Sequence, residues 1–183
     1  LQGVADFTLL VRGQLPKPRF ELNGRLSKVV LGDLATEDSA FKLNFLPDRV
    51  EGSGQFLGET ILTDFIFPFD AEAPFLFKFK SQKWDFTNLF SLISKSARQI
   101  DFSTSVTSDI QLQANHGGLW ASTGKVEVRE FTVRKGSRVM TAEKPMILTA
   151  HQGVINSENF AVTSGETYLK LDVAALSRHN LNA

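Results

Sequence analysis

Residues 100–114 read IDFSTSVTSDIQLQA. Ile100, Phe102, Thr104, Val106, Ser108, Ile110, Leu112 and Ala114 share one parity, while Asp101, Ser103, Ser105, Thr107, Asp109, Gln111 and Gln113 share the other. Successive strand side chains point to opposite faces, so the stretch predicts an extended strand about 50 Å long, at roughly 3.3 Å per residue, with one apolar and one polar face. Ordinary strands run about 5 or 6 residues. The question that decides the fold is what meets the apolar side of so long a strand.

The same alternation recurs along most of the chain. Phe7, Leu9 and Val11 interleave with Thr8 and Arg12, and Phe20, Leu22 and Leu26 interleave with Glu21, Asn23 and Arg25. Phe41, Leu43 and Phe45 share a parity; so do Phe65, Phe67 and Phe69, and then Phe75, Phe77 and Phe79 against Lys78 and Lys80. Turn signals at LPKPR (15–19), LPDR (46–49), AEAP (71–74), NHGG (115–118), RKGS (134–137) and TSGE (163–166) separate roughly eleven candidate strands, which predicts meander-like antiparallel pairing. One stretch breaks the period. In DFTNLFSLISKSA (85–97), Leu89, Phe90, Leu92, Ile93 and Ala97 recur at helical spacing behind an N-cap candidate, Asp85 or Thr87, predicting one short amphipathic helix near 87–97.

An internal echo adds a constraint. Gly124, Val126, Phe131 and Val133 are matched 29 residues later by Gly153, Ile155, Phe160 and Val162, and Gly24, Leu26 and Leu31 repeat the first three offsets. Val126 and Val128 share a parity that Phe131 and Val133 do not. Keeping both pairs on one face requires an extra residue, so a β-bulge is expected around Arg129 and Glu130. Bulges and glycines curve sheets, and a curved sheet wraps its apolar face into a trough.

Composition narrows the function. Twenty Lys and Arg balance twenty Asp and Glu in 183 residues, which leaves no basic surplus for nucleic acid. Cysteine is absent, removing disulfides, thiolate nucleophiles and Cys-based zinc sites. Sixteen Phe stand against one Tyr and two Trp. Phe has no polar handle to satisfy, so the bias suits a large dry or lipid-facing surface, or simply a β core. The longest apolar run is FIFPF at 65–69, far short of the roughly 20 residues a membrane helix needs. The chain opens on Leu1 and reads as one domain, 1–183, of a longer protein.

No catalytic constellation emerges. His116, His151 and His179 stand singly, and Gly52, Gly54 and Gly58 miss the dinucleotide spacing and read as strand glycines. Asp101 and Asp109 share a face but lie about 26 Å apart along a strand, too far for a carboxylate pair. The expectation is a protein that is not an enzyme and holds no metal or cofactor.

VRGQLPKPRFELNGRL (11–26) resembles the G-x-L-x-x-P-x-x-x-G-x-L element of the AsmA-like superfamily in its TamB branch, the translocation and assembly module type of bridge-like lipid transport protein. GKVEVREFTV, EKPMILTAHQGVI and ENFAVTSGETYLKLDVAAL are similar to that family's repeating order, ending in a G-x-T-x-L-x-L segment matched by Gly165, Thr167, Leu169 and Leu171. KWDFTNLFSLI is similar to its aspartate- and leucine-rich segment, and Ala174 departs from the usual glycine. The resemblance implies an all-β fold, a long curved antiparallel sheet forming a U-shaped β-taco with an apolar groove. It implies a periplasmic protein of a diderm bacterium, anchored in the inner membrane, that moves phospholipid between membranes and supports outer-membrane biogenesis with an outer-membrane β-barrel partner. A monomer is expected. The groove would then be lined by Phe7, Leu9, Val11, Phe20 and Leu22, by Phe41, Leu43 and Phe45, by Phe65, Phe67, Phe75, Phe77 and Phe79, and by Ile100, Phe102, Val106, Ile110 and Leu112. In the C-terminal half Val126, Val128, Phe160, Val162, Leu169 and Leu171 complete it.

Two readings compete. In the first, acyl chains meet the apolar face. Leaving five methylenes in water during transfer costs about 4 kcal/mol, nearly a thousandfold in rate, and a continuous apolar track removes that barrier. In the second, the face is the dry core of a closed β-sandwich or solenoid with a structural or adhesive role. A lipocalin-like barrel is a third arrangement, disfavoured by the uneven strand lengths.

Overall fold

The computed structural model describes residues 2–14, 17–31, 34–87, 102–114, 122–165, 167–170 and 176–177. These residues are nearly all β and build one fifteen-stranded antiparallel sheet that is not closed into a barrel, a curved, taco-like arrangement. Alternation sets the elements. The first wall runs β1 (Gln2–Arg12), β2 (Arg19–Leu31), β4 (Ser39–Phe45), β5 (Arg49–Phe56), β6 (Ile61–Pro68), β7 (Phe75–Trp84), β8 (Phe102–Ala114) and β9 (Thr123–Lys135), with each strand hydrogen-bonded to the next in that order. The opening stretch is β8, held by β7 on one side and β9 on the other.

Two strands fork. β2 pairs with β4 along Phe20–Leu26, and with β3 (Leu34–Ala35) at Val30 and Leu31. β9 pairs in the same way with β11 (Met146–His151) along Gly124–Val128 and with β10 (Arg138–Ala142) along Thr132–Lys135. From this second fork β12 (Val154–Glu158) and β15 (Leu176–Ser177) continue one branch, and β13 (Ala161–Ser164) and β14 (Thr167–Lys170) continue the other. The echo in the sequence therefore has a structural meaning. Its Gly124 copy lies in β9, whereas Ile155 and Val162 sit two strands further along, one in each branch.

The forks sit on a line of irregularity that crosses the sheet. The β1–β2 ladder shifts register between Gln2 and Val4, giving β2 an extra residue beside Lys28, whose φ is 52°. β7 gains one between Ser81 and Trp84, where Lys83 has φ 46°. β9 gains Arg129, because Ser108 pairs with Val128 but Thr107 pairs with Glu130, so the bulge lies where the parity argument puts it. The registers Leu26↔Ser39, Phe56↔Ile61, Ile61↔Ser81, Ser81↔Ser108 and Val128↔Met146 join these sites into one crease. Among the described residues, five of the six non-glycine positions with positive φ lie on it: Lys28, Leu57, Glu59, Lys83 and Asn159. Bulges bend strands and increase their twist, so a row of them is a fold line. Burial agrees. Ser39, Ser81, Ser108, Thr104 and Met146, which fall on or beside the crease, are all under 10% exposed, as expected in the inner corner of a folded sheet.

Three expectations need revision. Gly58 is not a strand glycine: it belongs to the 57–60 turn between β5 and β6, where φ of 61° and an N–H bond to the Asp38 carbonyl (3.0 Å) fit a left-handed turn on the crease. Phe160 is outside any strand, half-buried in the break between β12 and β13. Among the described residues the strands number fifteen and not roughly eleven, because the forks divide the sheet beyond β9 into short pieces. The helix expected near 87–97 lies outside the described residues except for Thr87, as do Ile100, Asp101, Leu171, His116 and His179 and the NHGG turn.

Candidate functional site

Residues paired across an antiparallel ladder point to the same face, so the registers define one apolar surface strand by strand. One row runs Leu9, Leu22, Leu43, Gly52, Phe65, Phe77, Leu112 and Gly124, and the next runs Phe7, Gly24, Phe41, Gly54, Thr63, Phe79, Ile110 and Val126. A third carries Val11, Phe20, Phe45, Val50 and Phe67, with Phe75 against the Phe67 ring at 6.0 Å. Beyond the crease the same face continues through Val106 and Phe131, Phe102, Val133 and Met140, then Ala142, Val162 and Leu169. Val128 and Met146 meet beside the corner. Each described strand residue that the alternation assigns to a groove thus lies on one surface.

Val50, Phe56, Ile61, Trp84, Phe131, Val133, Met140, Met146 and Leu148 belong to that surface too. Trp84 follows the bulge of β7, which changes its parity relative to Phe79, and Phe131 and Val133 follow the bulge of β9 that the parity of Val126 and Val128 calls for; Val50, Phe56, Ile61, Met140, Met146 and Leu148 lie in strands whose registers are unbroken. Apolar side chains also reach the opposite face, among them Leu10, Ile66 and Leu76, opposite Glu21, Glu51 and Gln113 respectively.

The surface is low and continuous. Phe41 lies over Gly24, Phe65 over Gly52 and Phe56 over Gly54, where an added methyl group would run into each ring. Glycine beneath an aromatic ring lets the ring lie flat, so large side chains form a floor and do not stand up as ridges. Phe79 contacts Trp84 at 6.1 Å and Trp84 contacts Phe86 at 5.9 Å, carrying the aromatic surface across the bulge of β7. At the turn end of the first wall Leu9, Phe20, Phe45, Leu46, Pro47 and Phe69 surround a recess of about 720 Å³ with Lys17 at its edge.

Nothing among the described residues covers this face. Strands in substantial contact are hydrogen-bonded neighbours within the sheet. Phe7, Leu9 and Val11 are each 60% exposed and Leu169 is 64% exposed, while Met146 is the one buried hydrophobic residue among those described. A closed core of this size would bury many more.

The opposite face is charged and wet. Lys42 pairs with Glu21 (3.1 Å), Arg49 with Glu51 (2.7 Å), and Lys125 and Arg129 with Glu127 (2.9 and 3.1 Å). Asp109 lies between Lys80 and Arg129, at 3.7 and 3.8 Å, and is engaged in ion pairs with both. A hydrogen bond from Asn23, reinforced by Lys42, holds the Glu21 carboxyl below the ordinary range, and Lys125 and Arg129 do the same for Glu127. His151 is exposed at the end of β11, 3.4 Å from the Thr123 hydroxyl. Among the described residues no three His, Asp or Glu side chains gather as metal ligands would.

What the fold and this surface define is an open, curved β-sheet with an uncovered apolar inside and an ion-paired outside. Comparison of the chain with protein-family models, with curated proteins and with solved structures returns no match.

Proposed function

We propose that this chain is a lipid-conducting segment of a cell-envelope protein, moving phospholipid between inner and outer membranes as the AsmA-like and TamB resemblance implies. The observation that carries the reading is the apolar face itself, continuous from β1 past β9, whose hydrophobic side chains, Met146 apart, are half-buried or exposed among the described residues. In water such an area is unfavourable by about 25 cal/mol for each Å², so it requires an apolar occupant. Acyl chains suit a floor that is smooth, elongated and free of a specific polar pocket, because uniform affinity lets cargo slide without being trapped. The periplasm of a diderm bacterium and an outer-membrane barrel partner belong to the same proposal. The closed-sandwich alternative lacks a second packed layer among the described residues.

Native mass spectrometry of the chain purified from a bacterial host tests the reading. Acyl lipid should remain bound, and Phe77→Glu should strip it while circular dichroism stays unchanged, because a charge in an open groove still reaches water. A chain that carries no lipid, or a Phe77→Glu variant that unfolds, contradicts it.

A further inference from the structure

The apolar face ends on cations at one rim. Phe102 pairs with Lys135, and Lys135 with Arg138, so both basic side chains lie on the face that carries Val133 and Met140, one step beyond them at the β9–β10 turn. That turn closes through Gly136 at φ 57°. The neighbouring β13–β14 turn places Ser164 opposite Thr167, and it closes through Gly165 at φ 58°. Both turns border a recess of about 740 Å³ whose lining includes Lys135, Arg138, Ser164, Thr167, Val133 and Met140.

On the outer face Lys42, Arg49, Lys125 and Arg129 are each matched by a carboxylate, and Lys78 and Arg134 there have no ion pair among the described residues. Lys135 and Arg138 have no acidic partner among the described residues. Two cations beside two hydroxyls form a donor set for phosphate oxygens, since charge-assisted N–H bonds are the strong ones and hydroxyls complete the shell. The adjacent Val133 and Met140 make it a site for phosphate attached to an apolar chain.

We propose that this rim is a headgroup site: Lys135 and Arg138, with Ser164 and Thr167, hold the anionic phosphate of a phospholipid whose acyl chains run down the face through Met140 and Val133. The proposal rests on the trough reading. It gives the conduit a preference for anionic over neutral lipid, located at the opening of the groove and separate from the apolar floor.

Binding of fluorescent-acyl phosphatidylglycerol and of diacylglycerol with the same chains tests the site in the intact chain. Exposed charge contacts are individually modest, so Lys135→Gln with Arg138→Gln should weaken phosphatidylglycerol binding by about five- to tenfold and leave diacylglycerol binding unchanged. The charge-keeping pair Lys135→Arg with Arg138→Lys should restore it. Equal phosphatidylglycerol binding by wild type and the Gln variant overturns the site. Glycerol 3-phosphate in large excess should not displace the lipid; if it binds alone as tightly, this is a free-anion site and the headgroup assignment falls. A wild type that binds neither lipid refutes the trough reading first, an outcome distinct from loss of headgroup preference alone.

Discussion

Ser81 sits on the apolar face where β7 loses register with β8, and its hydroxyl repairs the break. Its Oγ donates to the Val106 carbonyl (3.2 Å), accepts the Ser108 N–H (3.1 Å) and shares a hydrogen bond with the Ser108 hydroxyl (2.9 Å). Ser39 does the same for the Leu57 N–H at 3.1 Å. Replacing Ser81 with Val should destabilise the fold by about 1–3 kcal/mol in urea unfolding, because it strands a buried N–H; an unchanged midpoint would mean that the crease tolerates open amides. Across the crease, burial opposes ionisation of Asp85, but hydrogen bonds from Thr87 and Thr104 outweigh it and hold the carboxyl below its ordinary value of 3.8. A lowered folded pKa stabilises above the unfolded value and loses that contribution as pH falls through the folded one. The stability gap between wild type and Asp85→Asn should therefore be full above about pH 4 and shrink below it, as thermal melts across that range would record. A gap that stays constant with pH would exclude this role. Alternation alone assigns Ser81, Ser108 and Thr104 to the inner face but gives no reason for hydroxyls there; the reason is the interrupted ladder, which depends on contacts distant in sequence.

β9 shows how much an element discloses in advance. Val126 and Val128 on one parity, with Phe131 and Val133 on the other, call for a bulge around Arg129 and Glu130, since a single slip inverts every side chain that follows. The same signal was available elsewhere, in the odd spacing from Leu26 to Leu31 in β2 and from Phe79 to Trp84 in β7, where the extra residues at Lys28 and Lys83 lie. The forks were not legible. Whether a short strand such as β10 or β13 joins one half of β9 or the other is settled by pairing geometry that local pattern does not encode. Deleting Arg129 removes the unpaired residue and leaves Phe131 and Val133 on the apolar side of a regular ladder, whereas inserting one residue after Arg129 should turn them to the wet side and cost about 2–4 kcal/mol by denaturant unfolding. An insertion that leaves stability untouched would show that the facing of the second half of β9 does not depend on the residue count at the bulge.

At the scale of the whole molecule, the decisive property is that a sheet with an ion-paired outside leaves its inside uncovered among the described residues. The sequence pattern foretold the two faces and the balance of charge, but not the crease that gives the trough its corner, nor the cations on its rim. The account stands or falls on what meets the inner face in a cell. In β8, Ile110 pairs with Phe79 and Leu112 with Phe77 on the apolar side, while Asp109 and Gln111 pair with Lys80 and Lys78 on the other. A photo-crosslinking residue placed singly at 109, 110, 111 and 112 in cells samples both faces within one strand. Lipid adducts at 110 and 112, with none at 109 and 111, are the predicted result; equal capture at all four positions, or capture at none, would contradict it.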